Sequence, residues 1–129
     1  MKDINFLKEN GIDVDSGVEI LGDVDMYNDT LKDFIEVSED RLPELEKYKN
    51  SSDMENYAIC VHAMKGDSKY LGFTKLAELS LEHQLRSQKG DIEFVNNNYN
   101  ELINEANRIV SVVKKYLENQ CVKCLCKVY

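Results

Sequence analysis

Apolar residues recur at intervals of three and four positions through the last third of the chain. The members of this stripe are Ile92, Val95, Tyr99, Leu102, Ile103, Ala106, Ile109, Val110, Val113 and Leu117. Such spacing keeps side chains on one face of an α-helix. Asp91 directly follows Gly90 and is a favourable N-cap residue, so the pattern predicts a long amphipathic helix that begins there.

Four further helical segments precede this one. The first is short, covers 15–21 and ends at Gly22, and the second is longer and is capped by Asp25. The third begins at a capping box formed by Ser52 and Glu55 and runs to about Tyr70. The fourth runs from about Thr74 to Gln88. Pro43 lies inside the second segment and should kink or split it, because proline lacks a backbone N–H. Short connections favour antiparallel neighbours, so we predict an all-α fold: an up-down four-helix bundle with an additional short N-terminal helix.

The length of 129 residues fits one domain with a substantial hydrophobic core. No apolar run approaches the roughly 18 residues of a membrane span, and the first residues lack the apolar region of a signal peptide. These features predict a cytoplasmic protein that does not enter a membrane.

The formal net charge is −8, which argues against nucleic acid or an anionic membrane as a partner. The charge is distributed unevenly, since residues 1–57 contain 16 acidic and 6 basic residues, whereas residues 58–129 contain 8 and 10. His62 belongs to the second part, where Lys65 and Lys69 follow it closely. A cationic neighbourhood suits a phosphoryl group, although lysines of this kind are also common on solvated helix faces.

The third helical segment places His62 at the margin of the core. With about 100° per residue around the helix axis, the buried stripe through Val61 leaves His62 about half exposed. Lys65 follows one turn later about 60° from the histidine, and Lys69 two turns later about 20° from it. An imidazole with an ordinary pKa of about 6.5 is largely neutral at cytoplasmic pH and therefore nucleophilic, and the ammonium groups can neutralise phosphoryl oxygens.

Two neighbours on the open side of His62 strengthen this interpretation. Gly66 lies inside the helix, where glycine costs roughly 1 kcal/mol relative to alanine, which points to a steric reason for it. Ile59 is apolar and faces outward, where a docking partner can bury it. Taken singly, these residues have ordinary explanations: a surface histidine, an early helix end and a scattered apolar residue. Together on one face they favour a site for phosphoryl transfer.

The spacing of these residues resembles the histidine-phosphotransfer (HPt) domains of bacterial multistep phosphorelays. The family pattern is His-x-x-Lys-Gly, then small residues, a glycine ten positions after the histidine, and leucines and a Gly-Asp turn downstream. The matching residues here are His62, Lys65, Gly66, Ser68, Gly72, Leu76, Leu79, Ser80, Gly90 and Asp91. The likeness covers about residues 11–118, which leaves residues 1–10 as a lead-in and residues 119–129 as a C-terminal tail that contains cysteines.

The resemblance implies the bundle and a role for each site residue. His62 would accept a phosphoryl group from the aspartyl phosphate of a receiver domain and relay it to another receiver. Lys65 would pair with the phosphoryl oxygens, and Gly66 would admit the active-site loops of the receiver. Gln84 would fix the imidazole tautomer through a hydrogen bond, although an ordinary solvated amide is the alternative. The docking surface would include Ile59, Ala63 and Lys69.

The resemblance also implies the partners, which are receiver domains of response regulators and a hybrid sensor histidine kinase. The chain would act as a monomer and need no cofactor, because the Mg²⁺ ion belongs to the receiver. The sequence contains no glycine-rich nucleotide loop and no kinase motif, so we expect a phosphotransfer intermediate without kinase activity of its own. The cognate kinase, the regulator, the output and the direction of phosphoryl flow stay open, as does whether the domain acts alone.

Two positions depart from the family pattern. Asp67 replaces a small residue, but it lies about 140° around the helix from His62 and should repel a phosphoryl group little. His83 stands where an apolar residue is usual, and we interpret it as a packed, hydrogen-bonded core residue rather than a second phosphoryl acceptor.

Cys121, Cys124 and Cys126 raise a competing interpretation. Three thiolates at this spacing could ligate zinc, but a closed zinc site needs four ligands, and a frayed, reduced tail is the simpler explanation. Two alternative functions therefore stay open. One is a helical adaptor that binds a receiver or kinase without carrying phosphate, and the other is a thiol or metal-binding protein.

Overall fold

The computed structural model describes the backbone of residues 3–128 and the side chains of residues 3–118. Its helices are α1 (Ile4–Glu9), α2 (Val14–Leu21), α3 (Val24–Asn50), α4 (Met54–Leu71), α5 (Thr74–Gln88) and α6 (Ile92–Val128). No strand occurs among the described residues. Helix α3 packs on α4, α4 on α5, α5 on α6 and α6 on α3, so these four helices close into a bundle. The prediction of an all-α bundle is thereby confirmed.

Connections of two or three residues join the bundle helices, so that neighbouring helices run antiparallel. Helix α2 packs on α3 and α4, whereas α1 packs on α6 and α2. Helix α1 was not predicted, because six residues are too few to give a periodic signal. It is anchored by the buried Leu7 and by the Arg108 guanidinium, which donates to the carbonyl of Asn10 at 3.0 Å.

Aspartates begin α3 and α4. Asp23 and Asp53 each accept a hydrogen bond from the backbone N–H three residues later, at 2.8 and 3.2 Å. Asp25, the predicted cap of α3, therefore lies in the first turn of that helix. The capping box predicted at Ser52 and Glu55 is also wrong, because Ser52 lies in a left-handed turn with φ 56° and the next residue caps α4 instead.

Two further predictions from the sequence concern the helix cap at Asp91 and the proline at Pro43. Asp91 caps α6 as predicted, since its carboxylate accepts from the N–H of Phe94 at 3.0 Å. Pro43 does not split α3, which is continuous through it. Pro43 is exposed, so water can satisfy the carbonyl group that the proline leaves without an intrahelical donor.

The core lies between the four bundle helices and extends under α1 and α2. The largest fully buried side chains include Tyr27, Tyr57, Tyr116, Phe73, Leu31, Leu45, Leu71, Leu76, Leu102 and Ile109. The stripe predicted for α6 is buried or partly buried except at its first member, since Ile92 is exposed. The Tyr27 hydroxyl donates to the carbonyl of Leu71 at 2.6 Å and so ties α3 to the end of α4.

The turn between α4 and α5 depends on Gly72. Its φ of +84° lies in the left-handed region, and its carbonyl accepts from the N–H of Asp13 at 2.9 Å. A Cβ at this position would overlap the backbone of Asp13. We therefore expect Gly72→Ala to lower the free energy of unfolding by about 2–4 kcal/mol, measured by urea denaturation.

The matched control for this prediction is Gly66→Ala. A Cβ at Gly66 meets no atom within 4 Å, and the residue lies inside α4, so alanine should stabilise the chain by up to about 1 kcal/mol. If both variants unfolded at the same urea concentration, the structural role assigned to Gly72 would be wrong.

Candidate functional site

The imidazole of His62 lies exposed on α4, which is unbroken from Met54 to Leu71. This exposure agrees with the half-exposed position predicted from the sequence. Lys65 stays on the same stretch of helix one turn later. The structure thus places an exposed imidazole and a lysine one turn apart on the same helix.

Helix α5 fixes the orientation of the imidazole through Gln84. The amide oxygen Oε1 of Gln84 lies 3.1 Å from Nδ1 of His62, and the glutamine side chain is itself buried. Because a carbonyl oxygen can only accept, this contact places the proton on Nδ1 and leaves Nε2 with its lone pair. The histidine is thus held in the tautomer in which the outer nitrogen keeps its lone pair.

The two lysines near His62 supply positive charge to the same face. Lys65 is half-buried and Lys69 is exposed, and neither ammonium group forms an ion pair with any residue in the described ranges. Their charges are therefore free to interact with an incoming anion, which a charge-assisted hydrogen bond would hold more strongly than a neutral one.

The surface in front of the imidazole is open. Space beside Gly66 is empty to 4 Å around the position that a Cβ would take. A groove of about 700 Å³ runs between α4 and α5 next to the ring, and we call it the His62 groove. Its lining includes Ala58, Ile59 and Gln84. Ile59 is 63% exposed at the edge of this groove, and Ala63 beside His62 is half-buried, so both could meet a partner.

A pair of exposed apolar residues on α5 was not predicted from the sequence. Leu81 and Leu85 are 42% and 49% exposed on α5. They are one turn apart and lie about 60° and 100° around the helix from Gln84, toward solvent. The signal that could have revealed this pair is two leucines at a spacing of four, outside the buried stripe through Leu76 and His83.

The carboxylate of Asp67 does not face the phosphoryl site. Its Oδ2 accepts from the guanidinium Nη1 of Arg41 on α3 at 2.8 Å. Arg41 is only 16% exposed at its side chain, so the pair is partly shielded from solvent. The departure from the family pattern at Asp67 is thus explained by a bond between helices that no local sequence signal could predict.

His83 is a core residue. It is fully buried on α5, and its Nδ1 lies 2.8 Å from the hydroxyl of Tyr57. Burial lowers the pKa of His83 to about 4, while the second nitrogen, Nε2, is buried without a hydrogen-bond partner in the described structure. A ring in this position cannot reach a phosphoryl donor, as the sequence interpretation predicted.

The alternative of a metal or thiol site gains no support within the described residues. They contain no group of three or more histidine, cysteine or acidic side chains that could hold a metal ion. Cys60 is buried in α4, where burial raises the pKa of its thiol to about 11. The side chains of Cys121, Cys124 and Cys126 lie outside the described residues. None of the helices in the described ranges is both long and apolar enough to span a membrane.

Comparison with known proteins gives one family. A family model described as "Hpt domain" matches residues 29–112, which is well over half of the chain. The matched range begins in α3, ends in α6 and includes His62, Lys65 and Gln84. Comparisons with curated proteins and with solved structures gave no significant match.

Proposed function

The chain belongs to the Hpt domain family, and on this premise we propose that it is a histidine phosphocarrier whose acceptor residue is His62. The family has a histidine phosphotransfer role in phosphorelay signalling. In this proposal His62 takes a phosphoryl group from the aspartyl phosphate of one receiver domain and passes it to another. The observation that carries the proposal is the exposed imidazole whose Nδ1 faces Oε1 of Gln84.

The transfer step follows from that geometry. The lone pair of Nε2 attacks the phosphorus in line with the bond to the aspartyl oxygen. The P–O bond breaks and its electron pair returns to the aspartate carboxylate, while an N–P bond forms. The ring becomes cationic, and the hydrogen bond from Nδ1 to Gln84 stabilises the added charge. Transfer to a second receiver is the reverse of these events.

The remaining site residues act on the phosphoryl group or on the partner. Lys65 pairs with the phosphoryl oxygens, Lys69 belongs to the docking surface, and the open space at Gly66 admits the loops of the receiver. Ile59 and Ala63 contribute to the docking surface, together with Leu81 and Leu85. The Mg²⁺ ion would be supplied by the receiver, as the family resemblance implies.

The chain is proposed to be an intermediate and not a kinase, since its sequence contains no glycine-rich nucleotide loop. Receiver domains interact with Hpt domains, as do histidine kinases, and we propose a hybrid sensor histidine kinase as the upstream protein. The chain would act as a monomer in the cytoplasm without a nucleic acid partner, in keeping with its net charge of −8.

The proposal is tested by incubating the protein with a panel of phosphorylated receiver domains. We expect label on this chain that is stable in base and lost in acid, as a phosphoramidate should be. Label that survives acid would indicate a different acceptor. Binding to receivers with no label at all would favour the helical adaptor.

Lys65→Ala should slow transfer. Lys65 lies about one turn from the acceptor and has no competing carboxylate, so its loss removes a charge-assisted contact of roughly 1.5–3 kcal/mol. We expect the second-order rate of transfer from the receiver to fall by about 10-fold or more, measured by rapid quench. Lys75→Ala is the control, because Lys75 is exposed on the opposite side of α5 from Gln84. Equal rates in the two variants would remove Lys65 from the site.

A further inference from the structure

A second groove lies between α3 and α4 and shares the lining residue Ile59 with the His62 groove. Its volume is about 330 Å³, and we call it the α3–α4 groove. Ile59 lines both grooves, and Ala63, the residue after the acceptor, lines this one. Any partner that covers His62 from the side of Ile59 therefore also covers the α3–α4 groove.

One part of this groove is apolar and open to solvent. Val37 on α3 is 40% exposed and lines this groove, as does the exposed Ile59 on α4. Exposed aliphatic residues on two neighbouring helices give a partner an apolar contact that excludes water.

The other part of the groove carries negative charge that nothing in the described structure neutralises. Asp40 and Glu44 line it from α3, four residues apart and therefore on the same side of the helix. Both are exposed, and neither has a hydrogen bond or an ion pair with a residue of the described ranges. Arg41 also lines the groove, but its guanidinium is bound to Asp67. The groove thus presents two free carboxylates beside an apolar wall.

The acceptor histidine has basic residues on its own helix and acidic residues on the neighbouring one. Lys65 and Lys69 follow His62 along α4, whereas Asp40 and Glu44 line the groove from α3. A receiver brings the anionic phosphoryl group to the lysine side. Where a receiver covers the α3–α4 groove, positive charge on its surface is favoured, because negative charge there would be repelled.

Building on the proposed function, we propose that the α3–α4 groove accepts a lysine or arginine side chain of the receiver domain. The contact sets the orientation in which the receiver docks and selects among receivers that share the same active site. Charge pairs at the edge of an interface act mainly on the association rate and on specificity, and salt screens them. Selection among receiver domains should therefore depend on Asp40 and Glu44.

The test compares two charge reversals on the same helix. Glu44→Lys changes the groove, whereas Glu39→Lys makes the same change of charge at an exposed position about 140° around α3 from Glu44 and outside the groove. The probe is the receiver domain that labels the wild-type protein fastest, and the measurement is its second-order transfer rate at low and high salt. Labelling of each variant by phosphoramidate, which needs no docking surface, reports on His62 itself.

We expect Glu44→Lys to slow transfer by about tenfold at low salt and by much less at high salt, with phosphoramidate labelling unchanged. Glu39→Lys should stay within about twofold of wild type. A Lys→Glu or Arg→Glu reversal on the receiver should restore transfer to the Glu44→Lys protein and to no other variant, which identifies the partner side chain.

Equal effects of the two reversals would overturn the inference and leave the phosphocarrier function standing. The inference would also be wrong if Glu44→Lys altered self-association of this chain and left the rate of transfer from the receiver unchanged. The groove would then bind a second copy of the chain, and the phosphocarrier function would still stand. Failure of both phosphoramidate and every receiver to label His62 in the wild-type protein would overturn the function and the inference together.

Discussion

The variant His62→Gln is expected to lose phosphoryl uptake while its fold is retained. Glutamine offers no ring nitrogen to attack phosphorus, so label from the fastest receiver should fall by about 10³-fold or more. The ring is exposed and its one bond in the described structure is to Gln84, so the free energy of unfolding should change by less than about 0.5 kcal/mol. Radiolabel transfer and urea denaturation measure the two effects separately.

The receiver affinity of this variant distinguishes a carrier from an adaptor. A carrier loses label and keeps its dissociation constant within about threefold, because Ile59, Leu81 and the other docking residues are untouched. Continued labelling of His62→Gln would show that another residue is the acceptor.

The stability of the bundle should fall as the pH decreases from about 6.5 to about 4. The pKa of His83 is about 4 in the fold, because the ring is buried, against about 6.5 in the unfolded chain. In this window the unfolded chain binds more protons than the native protein, so acid favours unfolding. Above about pH 6.5 His83 is neutral in both states, and the free energy of unfolding has its full value. When the pH has fallen to about 4, the free energy of unfolding should be lower by about 3 kcal/mol. Urea midpoints at a series of pH values measure it.

The control for this prediction replaces both members of the buried pair. The double variant Tyr57→Phe/His83→Leu removes the imidazole and the hydroxyl together, so no polar group is left without its partner. Its stability should vary much less between pH 6.5 and 4. His62→Gln should keep the wild-type pH dependence. A double variant with the full wild-type dependence would show that other groups cause it.

Much of the fold follows from periodicity and stop signals. The bounds predicted for α5 are those of the structure, and glycines with positive φ lie in the turns after α4 and α5, at Gly72 and Gly90. Helix α1 was not predicted, because it is too short for a periodic pattern. The errors at Asp25 and Ser52 arose because adjacent acidic and hydroxyl residues compete for the cap, and backbone geometry selects among them.

For the candidate site, the sequence predicts positions on one helix but not contacts between helices. The positions of His62, Lys65 and Gly66 on one helix follow from residue spacing alone, whereas the approach of Gln84 depended on the family resemblance, since it joins two helices. The Arg41–Asp67 bond and the α3–α4 groove depend on how α3 packs against α4. Pairings between helices leave no mark in the local sequence, so only the packed structure reveals them.

The most direct test of the phosphocarrier account is the identity of the phosphorylated atom. The protein is labelled by a receiver domain, and two-dimensional NMR of the imidazole nitrogens and phosphorus locates the N–P bond. The account predicts one phosphoryl group on Nε2 of His62, because Nδ1 is occupied by its bond to Gln84. A phosphoryl group on Nδ1, or on any other residue, would contradict it.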